Sequence, residues 1–562
     1  MWPHRIARAF SIALAGLFMG VSLAPAQAEW YEASSDNFVI YADDKEKDIR
    51  RFSENLERYH RAMEFMVRRR LPKPSPSNRV VIFAVGTGGE LRRVFGKGGS
   101  RVAGFYIPRA GASRAFVQDI RNKNGYPDFS TVVMLHEYAH HFLISTSRFE
   151  MPRWMSEGMA EFFSAAGFPS NGGVLIGRPA QHRSYEINSA NRMNVRGLLQ
   201  AGAYGTSSPR DASTFYGRSW LLYHYLQFNP ERRDQFDIYK DHLIRGKPSL
   251  EAGELAFGNL GKLESELMSY RRQRSMAMFE LTPDALPIGE ITIRRLSEGE
   301  AAVMPMRIRS QRGVTREQAL KLLPDVREVA ARYPNDAGVL DALSEAEHDA
   351  GNDDEAIAAA DRAIALDPSR TNPYVQKGYS LFRKAGEADN KAAAYKAAMQ
   401  PFEALNSIEN DHPMPLIYYY RSFALQGIDP PENARAALER AAQLAPFDKG
   451  LWFNVALMQM QEGKIALAKV SLQPIAFAPH GGARADQARK LMAMLDTMPE
   501  GEPVSLRAVA DAGEVEPDGE PGEDDNASAD GGADVGVGAG LGASRADQGL
   551  DGMGRRLNPF AL

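Results

Sequence analysis

The chain has 562 residues, 44% of them hydrophobic and 25% charged, with a formal charge of −4 and no cysteine. That length exceeds one core, and a prior of roughly 150 residues per domain gives three or four units. The balanced charge offers no footprint for nucleic acid. Without thiols there are no disulfides, thiolate ligands, cysteine nucleophiles or acylated N-terminal cysteine, so any metal must be held by histidine and carboxylate.

The N-terminus reads as a targeting segment. His4, Arg5 and Arg8 form a basic start, Phe10 to Leu23 is apolar, and Ala26-Gln27-Ala28 is a small-x-small cleavage site. This predicts a signal peptide over 1–28, a mature chain from Glu29, and a periplasmic or secreted protein. The alternative is an uncleaved anchor, but the apolar run is shorter than the ~20 residues a span needs. No later segment is apolar enough to cross a bilayer.

Residues 29–130 alternate between strand and helix signals. Strands are expected over 37–42, 79–85, 102–107 and 114–117. A helix over 45–67 places Phe52, Leu56, Tyr59, Met63 and Met66 at helical spacing. The Pro-rich stretch at 71–76 ends it, and a short helix is expected over 90–95. The result is a small mixed sheet with helices.

Next comes a helix over 131–143, capped by Asp128 or Ser130, that contains His136-Glu137-Tyr138-Ala139-His140. Histidines four apart share a helix face. H-E-x-x-H spacing suits two corners of a tetrahedral zinc site, with Glu137 as proton acceptor for a metal-bound water. In a chain with 11 histidines, a chance match has a probability on the order of one in a hundred. Two histidines leave a catalytic zinc one protein ligand short. Leu143 and Thr146 stand where a third-histidine pattern needs glycine and histidine, so the candidates are Glu157 and Glu161, four apart on a helix over 152–163.

Residues 165–212, rich in Gly, Ser and Asn, read as a long surface loop near the cleft, with short helical pieces. Helix resumes over 214–226 and continues to about 277. Residues 278–314 read as a small β bridging segment with strands over 290–296 and 302–310. From 315 to 498, Pro334, Pro368, Pro413, Pro446 and Pro479 recur at spacings of 34, 45, 33 and 33, each interval holding two amphipathic helices. The 45-residue step reads as an insertion near 386–390. The Gly, Ala, Asp and Glu composition of 499–562 predicts a disordered acidic tail.

Two resemblances follow from these motifs. Trp154-Met155-Ser156-Glu157-Gly158-Met159-Ala160 downstream of H-E-x-x-H resembles the gluzincin zinc hydrolases, thermolysin-like and aminopeptidase N-like, particularly their peptidase MA-like branch. The resemblance implies zinc (Zn2+) held by His136, His140 and Glu157, Glu137 as general base, and Glu161 hydrogen-bonded to a ligand imidazole. It also implies an oxyanion donor on a later helix. Phe215-Tyr216-Gly217-Arg218-Ser219-Trp220 is similar in placement, which makes Tyr216 the candidate and Tyr223 and His224 its rivals. The chain departs from aminopeptidases in lacking the G-x-M-E-N glutamate that holds a free amine. The corresponding stretch, 104–117, offers an edge strand able to align an extended peptide. The period near 34 resembles tetratricopeptide repeats (TPR).

The fold class expected is therefore α+β, a small mixed sheet plus a helical gluzincin catalytic domain, followed by an all-α TPR-like solenoid. The function implied is a periplasmic or secreted zinc peptidase whose repeats bind a protein partner or the peptide substrate on a concave surface. The alternatives are a non-catalytic repeat scaffold carrying an inactive metallopeptidase-like domain, and a zinc amidase acting on cell-envelope material.

Overall fold

The computed structural model describes residues 29–96, 102–121, 125–147, 149–188, 194–201, 214–478, 482–505 and 508–509. The expected signal peptide, the turn at Pro479 and the tail beyond 509 lie outside them.

Trp30–Ser34 (β1) and Phe38–Asp43 (β2) pair antiparallel. The chain then crosses through Glu46–Val67 (α1) to Val80–Ala84 (β3), parallel to β2. Gly88–Phe95 (α2) opens on a Thr87–Glu90 capping box and leads to Phe105–Ile107 (β4) and Arg114–Val117 (β5). The helical part follows: Phe129–Thr146 (α3), Arg153–Ser164 (α4), Val174–Ile176 (β6), Ser184–Asn188 (α5), Val195–Gln200 (α6) and Phe215–Phe228 (α7). Arg233–Ile244 (α8), Ser249–Phe257 (α9), Leu260–Arg271 (α10), Phe279–Leu281 (β7) and Thr292–Arg295 (β8) complete it. β6 and β7 form a separate two-stranded sheet, and the main sheet has the order β4-β5-β3-β2-β1-β8.

Strand alternation sorts the sheet's two faces. Phe38, Ile40 and Ala42 face the core formed with Phe52, Leu56 and Tyr59 of α1 and Met134, Tyr138 and Phe142 of α3. Val39, Tyr41, Phe83 and Phe116 face the other way, onto Leu296, Met304 and Ile308. Burial on both faces explains why Val80–Ala84 is continuously apolar.

That second cover corrects the expected bridging segment. Thr292–Arg295 joins the main sheet by pairing with β1. Residues 302–310 are not a strand but part of Glu298–Arg312 (α11), opened by a Ser297–Glu300 capping box. The alternating Met304, Met306 and Ile308 suggested period two, yet Val303, Met304 and Ile308 are the buried set, which is helical spacing. The described residues of 165–212, namely 165–188 and 194–201, include the expected short helices but depart from a surface loop. Val174, Ile176, Ala180, Ile187, Val195 and Leu198 are all buried, because short segments with one or two apolar anchors carry no readable period.

The repeat region is a run of helices, each packed on the next: Arg316–Arg332 (α12), Ala337–Ala350 (α13), Asp353–Leu366 (α14), Asn372–Glu387 (α15), Lys391–Ile408 (α16), Pro413–Ala424 (α17), Glu432–Leu444 (α18), Lys449–Gln461 (α19), Ile465–Ala476 (α20) and Gly482–Leu495 (α21). Gly351 and Gly463 make the tight turns inside two pairs at φ 90° and 72°. The long step is not a loop insertion at 386–390. α15 and α16 are themselves longer, at 16 and 18 residues against 14 and 14 in the preceding pair, and Pro413 opens the next helix instead of preceding it. The tail also begins later than expected. Val504 and Val509 are buried against α19–α21, and Val504 N–H donates to Met460 O at 2.9 Å.

The repeats dock onto the sheet-bearing region. Ser77 donates to Glu409 through N–H (3.0 Å) and Oγ (2.9 Å), and Asn78 donates to Leu444 O (3.3 Å). The β4–β5 turn reaches into them: Ala110 N–H donates to Asp448 at 2.9 Å, and Arg109 lies in the field of Glu345, Asp349 and Tyr379 on α13 and α15. Among the described residues no helix is long and apolar enough to cross a membrane.

Candidate metal centre

α3 starts where Asp128 accepts from Thr131 N–H at 3.0 Å, whereas the Ser130 hydroxyl accepts from Gln118 N–H at 2.7 Å. Asp128 is thus the cap, and Ser130 ties the helix to the end of β5. α4 is set by two features of its own sequence. Trp154, fully buried, donates to Tyr239 Oη at 2.9 Å. Gly158 lies so close to α7 that a Cβ there would sit 2.6 Å from Ser219 O. Only glycine permits that approach, and it brings Glu157 over α3 beside the first turn of α7.

The result is a triangle of donor atoms. His136 Nε2 and His140 Nε2 are 3.1 Å apart, and Glu157 Oε2 is 3.3 Å from the first and 3.2 Å from the second. A tetrahedral zinc with bonds of about 2.0–2.1 Å has ligand–ligand edges of about 3.3 Å. Two imidazoles and one carboxylate, with every edge near that length, form a donor set that fits such an ion, and among the described residues this is the group able to hold one. All three side chains are buried.

Behind the triangle each imidazole is held from its other nitrogen. His140 Nδ1 lies 3.3 Å from Ser156 Oγ, and His136 Nδ1 lies 3.2 Å from Glu161 Oε1. Glu161 in turn accepts from Arg183 Nε (3.0 Å) and Nη2 (2.8 Å) and meets His182 Nε2 at 2.7 Å. Arg183 continues to Glu186 at 2.9 Å, and Glu186 accepts from Gly217 N–H at 2.7 Å. Hydrogen bonds of this kind fix the tautomer and ring orientation of a ligating histidine. Burial opposes charge on Glu161, but Arg183, His182 and His136 hold its carboxyl well below the usual carboxylate range. Burial likewise opposes charge on His136, while Glu161 and Glu157 push its pKa up to about 10. The carboxylates that draw a proton to this imidazole also complement a divalent cation between the donors.

Glu137 is partly exposed, and its carboxylate forms no hydrogen bond or ion pair with the described residues. Of the three oxyanion candidates, Tyr216 lies at the centre. Its ring is 6.4 Å from that of His136, with the Arg183 guanidinium 4.6 Å above it. Burial and Glu157 raise its hydroxyl pKa, against Arg153 and Arg183, so the hydroxyl stays protonated and can donate. Tyr223 packs into the core on Phe162 and Phe236. His224 is hydrogen-bonded to Gly177 O, Ala277 O and Tyr270 Oη. Neither is brought to the triangle.

Several residues at the centre were not singled out from sequence. Ser156 stands inside the Trp-x-x-Glu segment. His182 and Arg183 fall in the stretch read as a loop, where only their adjacency hinted at a polar cluster. His141, next to His140, meets Tyr106 Oη at 2.7 Å and stacks on Phe447 of the repeats. Burial, with a smaller contribution from His60, lowers its pKa to about 3 and keeps it neutral.

Fold and centre together define the class: an α+β region with a buried His-His-Glu cluster, joined to helical repeats. No protein-family model matches the chain, and no curated protein matches it. Among solved structures, a thermophilic TPR protein of Thermus thermophilus aligns with 32% of this chain and 92% of that one, at 14% identity and a TM-score of 0.27. A likeness that shallow carries no argument.

Proposed function

We propose that the chain is a zinc-dependent peptidase of the gluzincin type, acting in the periplasm or outside the cell. The observation that supports this best is the donor triangle with 3.1–3.3 Å edges next to Glu137, whose carboxylate forms no hydrogen bond or ion pair with the described residues. Zinc, when bound by His136, His140 and Glu157, supplies Lewis acidity that acidifies water and polarises a carbonyl. Glu137 accepts the proton of the attacking water at its carboxylate and returns it to the leaving amine. Tyr216 donates to the oxygen on which negative charge develops. Glu161 and Ser156 hold the two imidazoles in place. β4, at the sheet edge, offers backbone groups to an extended peptide. The helical repeats support an additional protein-binding role for the C-terminal half.

The test is Glu137→Gln in the mature chain, assayed on an unbiased peptide library alongside metal analysis. Turnover is expected to fall by about 10²–10⁴-fold with metal content and melting temperature retained. Undiminished cleavage by the variant rules the mechanism out.

A further inference from the structure

The corner between α18 and α19 enters the centre from the opposite half of the chain. The Phe447 ring stacks on His141 with centroids 4.1 Å apart and planes at 26°. Asp448 caps α19 by accepting from Leu451 N–H at 2.9 Å, and its other carboxylate oxygen accepts from Ala110 N–H at 2.9 Å. These contacts fix the corner between α3 and the β4–β5 turn. Glu137 and His141 are four apart on α3 and share a face. A corner stacked on His141 therefore carries Lys449, the first residue of α19, to the side of α3 from which the charges of Glu137 and Glu157 reach it.

The lysine has no structural partner there. Its side chain is partly buried, and among the described residues no carboxylate lies within the 4.0 Å of an ion pair. The charges whose fields reach it are Glu137 and Glu157, with Arg484 adding a second positive charge. Glu137 is committed to proton transfer and Glu157 to the metal. A cation withdrawn from water without a partner is unfavourable, and a carboxylate brought by a ligand would relieve that cost.

We propose that Lys449, supplied by the repeats, is a specificity-determining residue that receives a carboxylate of the substrate, making the cleft a joint product of both halves and selective for acidic peptides. This deepens the peptidase reading and rests on it. The carboxylate is either a free C-terminus or an acidic side chain.

The test uses the full mature chain, Lys449→Gln and Lys449→Arg. The probes are short mixed-sequence peptides in matched forms: C-terminal acid against amide, and internal Glu against Gln. Both binding and turnover are measured. In the wild type, the form carrying the recognised carboxylate binds about tenfold more tightly and has a correspondingly lower KM. The acid–amide and Glu–Gln pairs distinguish the two sources. Lys449→Gln removes that preference while leaving the neutral peptides unchanged, and Lys449→Arg restores most of it. Equal weakening of acidic and neutral peptides by Lys449→Gln, or no preference in the wild type, overturns the proposal. The binding arm keeps the two claims separate: a charge preference without any cleavage upholds Lys449 and defeats the peptidase reading.

Discussion

Around the His-His-Glu centre the fully buried side chains include Glu157 and Glu161, with Arg183 only 7% exposed. In the repeats, α14 buries Ala356, Ala359, Ala360 and Ala363. The first region withdraws charge from water and answers it bond by bond, through the run His136–Glu161–Arg183–Glu186. The second gains its packing from small residues that let helices approach, and keeps most of its charge at the surface. Buried polar groups are stable only when every member is satisfied, so the centre depends on its weakest link, whereas the repeats tolerate change wherever volume is kept.

Removing one link should affect the centre most. Glu161→Ala leaves Arg183 buried without its main partner and is expected to cost about 3–5 kcal/mol of stability and about 10–100-fold in metal affinity. Denaturant melts and metal titration check this. Glu157→Ala should lose more metal than Glu161→Ala, and the reverse order would exchange their roles. Tyr216→Phe is expected to lower kcat by about 10²-fold with KM little changed; a drop in thermal stability with kcat intact would make Tyr216 structural. Gly158→Ala, which drives a methyl into Ser219 O, should cost about 2–3 kcal/mol and weaken the metal site by displacing Glu157. Removing a methyl from the solenoid, Ala360→Gly, should cost only about 1 kcal/mol, and comparable losses would erase the contrast.

A further test uses the buried charge cluster where α11 meets β8 and the repeats, an effect that depends on pH. Glu300, 3% exposed, accepts from Arg294 (2.5 Å) and Arg370 (2.6 Å). Burial opposes its charge, but the two guanidinium groups push its pKa down to about 2 from 4.5. A depressed carboxylate stabilises the fold fully above about pH 4.5, and that contribution is lost as pH falls toward 2. Glu300→Gln should therefore cost about 1–2 kcal/mol at pH 7 and almost nothing at pH 2, as read from urea melts at both values.

What could be read from sequence divides along physical lines. H-E-x-x-H is a local spacing on a helix, so His136, Glu137 and His140 are visible before any fold is known; spacing leaves Glu157 and Glu161 both open, and the resemblance carried by Trp-x-x-Glu points to Glu157. Strand β2, helix α1 and the repeat helices have enough periodic residues to declare themselves. β1 did not, because it is short and half-buried, and β8, expected as a strand within 290–296, gave no sign that it pairs with β1 at the far end of the chain. Helix α11 was misread because Met304, Met306 and Ile308 mimic alternation across Pro305. His182, Arg183 and Lys449 acquire meaning only through tertiary contacts, the last across an interface between two regions that sequence treats as separate.

β8 has a consequence for how the molecule is made. Arg294 bonds Glu32 across 262 residues of chain, so β1 emerges during synthesis long before its outer neighbour. Until then the sheet ends in an unpaired edge, and Phe83 and Phe116 lack the cover that Met304 and Ile308 later provide. Such an edge is prone to pair with other chains. Truncation near residue 277 would therefore leave the half that carries the His-His-Glu cluster permanently in its aggregation-prone stage of assembly, and a stable fragment of that half should extend through the end of α11.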